Sequence, residues 1–205
     1  MKHIVKGQEP QDFANWKAQA NANWQPTYCN LGGNPKQALK NGLMIDQGYI
    51  CCYCERRLTD ADSHIEHFQP QSTPTVDSLD FGNMLCSCNP EQGKRKPSHC
   101  GNLKDDWFNQ ALLVSPLDPN CESRFSFTGD GRIKTASHTD VAAAETIKRL
   151  GLDIPKLKAL RAKVIEAFLD AGSGWQDFNQ FVAIYLTKDA QGQYGEFWTT
   201  IRYLF

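Results

Sequence analysis

Apolar positions along this chain change their spacing twice, and the changes mark its organisation. Leu39 and Leu43 lie four apart on a stretch that Asn34 can cap, Pro35 can open and Gly48 can follow, which predicts a helix. A shorter helix is expected over residues 10–22, with Phe13 and Trp16 on one face. From Ile50 to about Cys100 the helical period is lost. Short β-like pieces at residues 63–68 and 81–85 alternate there with loops rich in Pro, Ser, Thr and Asp, and residues 89–99 form a polar, basic loop. Residues 124–135 predict a hairpin, because Gly129-Asp130-Gly131 separates Phe125 and Phe127 from Ile133. Beyond Asp140 the helical period returns: Ile147 and Leu150 precede a stop at Gly151, and Asp153 and Pro155 open a helix carrying Leu157, Leu160, Val164 and Phe168. Two more helical pieces are expected after Gly174 and Gly195. The pattern implies an α+β chain with an N-terminal helical segment (1–49), a central unit of short strands (50–110) and a hairpin and helical C-terminal part (111–205).

Composition narrows the function classes. At 205 residues with 40% apolar content, the chain can bury a real core. No apolar run exceeds six residues, and the opening MKHIVKGQEP has nothing to span a bilayer or act as a signal peptide, so a soluble, unexported chain with no membrane partner is expected. Lysine and arginine number 22 against 23 acidic residues, so no global positive field recruits a polyanion. Any grip on nucleic acid must be local or borrowed from a partner. Nine of the 22 aromatic residues fall at 175–205, where they are expected to pack a helical core.

Candidate chemistry lies in the central unit. Six of the eight cysteines (Cys51, Cys52, Cys54, Cys86, Cys88 and Cys100) fall within fifty residues, a clustering that points to a metal rather than to disulfides. Cys51 and Cys54 have the two-residue gap that turns both thiolates onto one tetrahedral ion, which leaves Cys52 pointing elsewhere. The second pair is one of Cys86 and Cys88 together with Cys100. Between the two groups lies His64-Ile65-Glu66-His67-Phe68-Gln69-Pro70. A histidine beside a carboxylate offers a general base and a divalent-metal ligand, the parts that phosphodiester hydrolysis needs. Side chains alternate along a strand, so Glu66 and His67 can share a site only where the strand ends or bulges, and Pro70 makes an ending credible. His64 would share the face of Glu66. Arg56, Arg57, Lys94, Arg95, Lys96 and Lys104 could neutralise phosphates around such a site.

This arrangement resembles the ββα-metal fold of HNH endonucleases: the CxxC knuckle, a strand ending in Glu66-His67 with Pro70 following, Asn83-Met84-Leu85 leading into a second cysteine group, and Cys100-x-Asn102-x-Lys104. More narrowly, Lys2 with Glu9-Pro10, Lys36-x-Ala38-Leu39, Asp46-Gln47-Gly48, Glu66-His67-Phe68-x-Pro70-x-Ser72 and His99-Cys100-x-Asn102 resemble the HNH effectors of Septu-type and retron-associated anti-phage systems. The likeness runs from Met1 to Lys104 and more weakly to Arg161. It implies His67 as the base, Glu66 as a ligand to catalytic Mg²⁺ or Mn²⁺, Asn83 holding the His67 loop, and Cys51, Cys54, Cys88 and Cys100 on structural zinc. The usual motif has His or Asn directly after the last cysteine; Gly101 stands there, so Asn102 is the candidate for the second catalytic-metal ligand. Implied partners are a nucleic acid, DNA or RNA including tRNA, and an ABC-type ATPase subunit, with a retron reverse transcriptase and its msDNA for the retron-associated members, all in a bacterial cytoplasm. The rival class is a zinc-stapled nucleic-acid-binding or adaptor module that cuts nothing.

Overall fold

A computed structural model describes residues 1–89, 99–172 and 177–205, without the side chains of residues 171 and 172. The basic run Lys94-Arg95-Lys96, together with Gly174 and Trp175, lies outside the described residues. The N-terminal part carries helix α1 (Gln11–Lys17) and helix α2 (Gly33–Asp46), packed against each other through Phe13, Leu39 and Leu43. Helix α1 ends five residues before the expected boundary because Asn21 takes over its own backbone: Oδ1 accepts the Asn23 N–H at 2.9 Å, and Asn21 bridges Trp24. Helix α2 begins at Gly33 rather than at Pro35, with Gly32 in extended conformation at its cap. Asn34 is therefore inside the helix, and Pro35 falls in the first turn, where no backbone N–H is required.

Strands β1 (Ser63–His67) and β2 (Met84–Cys88) form an antiparallel pair, in a register that sets Ser63 opposite Cys88 and His67 opposite Met84. The second strand starts three residues later than expected. Asp80 caps residues Phe81–Asn83 into a single 3₁₀ turn by accepting the Gly82 N–H at 2.8 Å, so the extended chain begins at Met84 and runs on to Cys88. Helix α3 (Cys100–Lys104) follows and packs on β2. Gln47, buried at the end of α2, ties that helix to the sheet: Nε2 donates to the carbonyls of Ile50 (2.9 Å) and Cys86 (2.8 Å), and Oε1 accepts the Cys86 N–H at 2.7 Å.

The expected hairpin is present as β3 (Phe125–Phe127) and β4 (Ile133–Thr135). Helix α4 (Val141–Arg149) is capped by Asp140, and helix α5 (Pro155–Gly172) follows the turn at Gly151, whose φ of +58° suits glycine. Helices α6 (Phe178–Leu186) and α7 (Trp198–Leu204) close the chain. One buried cluster runs from Met1 through the sheet to Leu157, and a smaller one joins Ile165, Phe168, Val182 and Ile201 under Phe178, Tyr185 and Phe205. Of the aromatic C-terminal stretch, Phe197 and Trp198 are buried and Phe178, Phe181, Tyr185 and Phe205 pack on the smaller cluster, whereas Tyr203 is exposed. Among the described residues no helix is long and apolar enough to cross a membrane.

Gln47 makes a prediction possible. Gln47→Leu strands buried polar groups on Ile50 and Cys86, and the expected cost is about 2–3 kcal/mol in a denaturant titration of the metal-loaded chain. A change below about 0.5 kcal/mol would show that the clamp carries no strain when cut.

Candidate active site and metal centre

The residues after α2 fold into a knuckle. The Cys51 N–H donates to the Arg56 carbonyl (2.8 Å) and the Glu55 N–H to the Cys51 carbonyl (3.0 Å), with Glu55 in the left-handed region at φ +64°. This turn presents Cys51 and Cys54 on one side. Cys88 arrives from the end of β2, and Cys100 from the first residue of α3, whose N–H is tied to the Leu150 carbonyl at 2.8 Å. The four sulfurs lie within 4.8 Å of one another, and all four residues are buried. Cys51 Sγ is 3.8 Å from Cys100 Sγ, and Cys54 Sγ is 3.6 Å from Cys88 Sγ. Zinc bound tetrahedrally at about 2.3 Å sets its sulfurs roughly 3.8 Å apart, so these residues fit a structural zinc ion.

The surroundings suit thiolates. The Cys88 N–H donates to Cys51 Sγ at 3.3 Å, and Ser87 Oγ lies 3.7 Å from the same sulfur. Burial opposes charge on Cys51, yet hydrogen bonds from Cys100, Cys52, Cys54 and Cys88 hold its thiol well below the ordinary range. Burial and the neighbouring Cys51 push Cys100 well above it. One thiolate therefore suppresses the next, and a divalent cation at the centre removes that opposition. Cys52 and Cys86 stand outside the set. Burial, then Cys51, raises the Cys52 thiol, and burial pushes Cys86 up to about 12, so both act as small protonated core residues. Of the two open candidates on β2, it is thus Cys88 that joins Cys100.

A cleft of about 240 Å³ opens beside this centre, lined by His64, Glu66, His67, Gly101, Asn102 and Lys104 among others. His67 is the last residue of β1, so the strict alternation of the strand lapses there and both Glu66 and His67 border the cleft. Glu66 Oε1 accepts from the Tyr53 hydroxyl at 3.0 Å and faces Lys104 Nζ at 3.1 Å, while Oε2 lies 3.4 Å from His64 Nε2. His67 Nε2 donates to the Ser78 carbonyl at 3.0 Å, which leaves the lone pair on Nδ1, and the Tyr28 ring sits edge-on at 4.6 Å between centroids. Burial lowers the His67 pKa below the usual imidazole value; the Ser78 contact and Glu66 only partly oppose it. Asn83 locks the chain leaving His67: its Oδ1 accepts the Gln69 N–H (2.8 Å), its Nδ2 donates to the Gln69 carbonyl (2.9 Å), and its own carbonyl accepts the Phe68 N–H (2.9 Å). Asn102 borders the cleft and donates from Nδ2 to Asn89 Oδ1 at 2.7 Å.

Comparison with known proteins follows from this geometry. No family model matches the chain. It is 30% identical over 141 residues to a Vibrio cholerae (serotype O1 biovar El Tor) protein named "Retron Vc95 putative HNH endonuclease", an alignment covering 65% of this chain and 66% of that one. It is 28% identical over 210 residues to an Escherichia coli protein named "Retron Ec83 putative HNH endonuclease", covering 82% of this chain and 80% of that one. The chain is a relative of the retron HNH proteins. The first alignment leaves about a third of the Vibrio protein's length unmatched.

Seen as a relative of the retron HNH proteins, the chain departs from sequence expectation in two residues. Lys104, expected to meet phosphate, is buried with its side chain only 1% exposed, because its ammonium is engaged by Glu66 and by the carbonyls of His67 and Asp105. Arg57 likewise spends its guanidinium on the carbonyls of Tyr194, Tyr49 and Gly48. Tyr53 and Tyr28, which hold the two candidate catalytic groups, were not singled out by sequence. Tyr53 could have been, since it sits inside the cysteine knuckle; nothing local marks Tyr28. Metal analysis checks the centre: Cys51→Ser and Cys88→Ser are expected to lose zinc, whereas Cys52→Ser and Cys86→Ser keep one ion per chain. Full zinc in Cys51→Ser would contradict the assignment.

Proposed function

We propose that this chain is an HNH endonuclease of a bacterial anti-phage system, hydrolysing phosphodiester bonds of DNA or RNA, tRNA among them. In this reading β1, β2 and α3 are a ββα-metal core stapled by zinc on Cys51, Cys54, Cys88 and Cys100. The observation that carries it is the pairing of Glu66 and His67 at one cleft, on a strand end beside the cysteine centre. The names of the two relatives support a nuclease in a retron setting.

His67 acts as the general base. Its Nε2 is fixed on the Ser78 carbonyl, so Nδ1 takes the proton from the attacking water, and its lowered pKa keeps it neutral at cellular pH. Asn83 and Tyr28 are positioning residues that hold the imbedded imidazole and the loop after it. Glu66 would hold a divalent ion, Mg²⁺ or Mn²⁺, since one of its oxygens is not engaged by Tyr53 and Lys104. When bound, such an ion supplies positive charge for the phosphate and the leaving oxygen. The chain is nearly neutral, and we take substrate access to come from an ABC-type ATPase partner, with a reverse transcriptase and its msDNA where the system is a retron. One observation favours the non-catalytic adaptor instead: Lys104 already balances the charge of Glu66.

Labelled DNA and RNA incubated in Mg²⁺ with the purified chain, alone and with its ATPase, separate the readings. His67→Ala is expected to lower cutting by about 10²–10⁴-fold with zinc content intact. Because a base must be unprotonated and the His67 pKa is lowered from 6.5, wild-type cutting is expected to fall with acid only below pH 6.5. Equal cutting by His67→Ala, or an acid limb above that value, would contradict the assignment.

A further inference from the structure

Glu66 needs a companion to hold an ion, and the motif position that would supply one is a glycine. A β-carbon built on Gly101 falls 2.2 Å from Glu66 Oε2 and 2.8 Å from His64 Nε2. The space a side chain would enter immediately after the last cysteine is therefore already filled, from the opposite wall of the cleft, by Glu66 and an imidazole. The alternation of β1 puts His64 and Glu66 on one face, Nε2 and Oε2 are 3.4 Å apart, and the His64 side chain is 28% exposed at the cleft. Tyr53 and Lys104 both engage Oε1, which turns Oε2 toward His64. Asn102 pairs with Asn89 through its amide, whereas His64 is the residue that meets Glu66 Oε2 directly.

We propose that His64, not Asn102, is the second protein ligand of the catalytic divalent ion. This rests on the nuclease reading and adds a metal preference to it. The strand would supply both donors, His64 Nε2 and Glu66 Oε2, and Gly101 leaves them room, since a larger residue there would collide with both side chains. An imidazole beside a carboxylate binds Mn²⁺ better than Mg²⁺, which favours all-oxygen shells with water. The site therefore selects Mn²⁺ over Mg²⁺.

The test measures binding, not cutting. Zinc-loaded full-length chain is titrated with Mn²⁺ and with Mg²⁺ by calorimetry, with free Mn²⁺ followed by electron paramagnetic resonance. His64→Ala is expected to weaken Mn²⁺ binding by about 1,000-fold, beyond the roughly 10–100-fold that loss of an outer partner can cost, and to erase the preference over Mg²⁺. His64→Gln keeps a hydrogen-bond donor for Glu66, so it guards against a purely structural effect. It too is expected to lose the preference. Asn102→Ala and His67→Ala are expected to bind Mn²⁺ within about threefold of wild type, or about 0.65 kcal/mol. Wild-type affinity in both His64 variants, or loss of binding in Asn102→Ala alone, would overturn the proposal, as would a wild-type chain that binds no Mn²⁺. Failure of the nuclease reading looks different: Mn²⁺ bound through His64 by a chain that cuts neither DNA nor RNA.

Discussion

Four sulfurs from three separate stretches of chain meet at one buried point, and the rest of the central unit depends on that meeting. A pair of five-residue strands and a five-residue helix cannot be stable alone in water. Here the knuckle at Cys51 and Cys54, the end of β2 at Cys88 and the start of α3 at Cys100 share one centre. The same centre reaches further along the chain. The Cys100 N–H is held by the Leu150 carbonyl at the end of α4, and Arg161 on α5 is buried with its guanidinium donating to the carbonyls of Leu152 and Gly131. Burial lowers the Arg161 pKa, while the nearby Cys54, Glu55, Asp153 and Cys100 favour its charge, so a buried guanidinium accompanies the cysteine centre.

Staple and cleft are coupled through two side chains. Tyr53 lies inside the knuckle and Lys104 ends α3; both reach Glu66 Oε1. The elements that meet at the four cysteines are thus the elements that set the carboxylate's orientation. Burial and the Glu66 charge raise the Tyr53 pKa well above its ordinary value, so the phenol remains a donor. The His67 side chain is held by other residues, Ser78 and Tyr28, and the chain leaving it by Asn83, while Lys104 reaches only its backbone carbonyl. Loss of metal should therefore disturb Glu66 before it disturbs His67.

Much of this was legible in the chain because it is written in short-range patterns. The two-residue gap of Cys51 and Cys54, the turn glycines of the hairpin and the stop at Gly151 depend on neighbours alone, and the structure has each of them. What stayed hidden depends on residues far apart. Lys104 reads as an exposed cation until α3 is laid against β1, 37 residues away in sequence. Cys86 and Cys88 are indistinguishable by spacing, and only the clamp of Gln47 on the Cys86 backbone and the end of the strand separate them. Gly101 reads as a motif failure; in three dimensions it is the clearance for Glu66 and His64.

The central claim is that one zinc ion on four cysteine sulfurs organises the unit that carries Glu66 and His67. X-ray absorption at the zinc edge of the purified chain tests it directly. Four sulfur scatterers at about 2.3 Å, with no nitrogen or oxygen in the first shell, are the predicted result. Zinc bound by imidazole or carboxylate, or a folded chain without zinc, would contradict it.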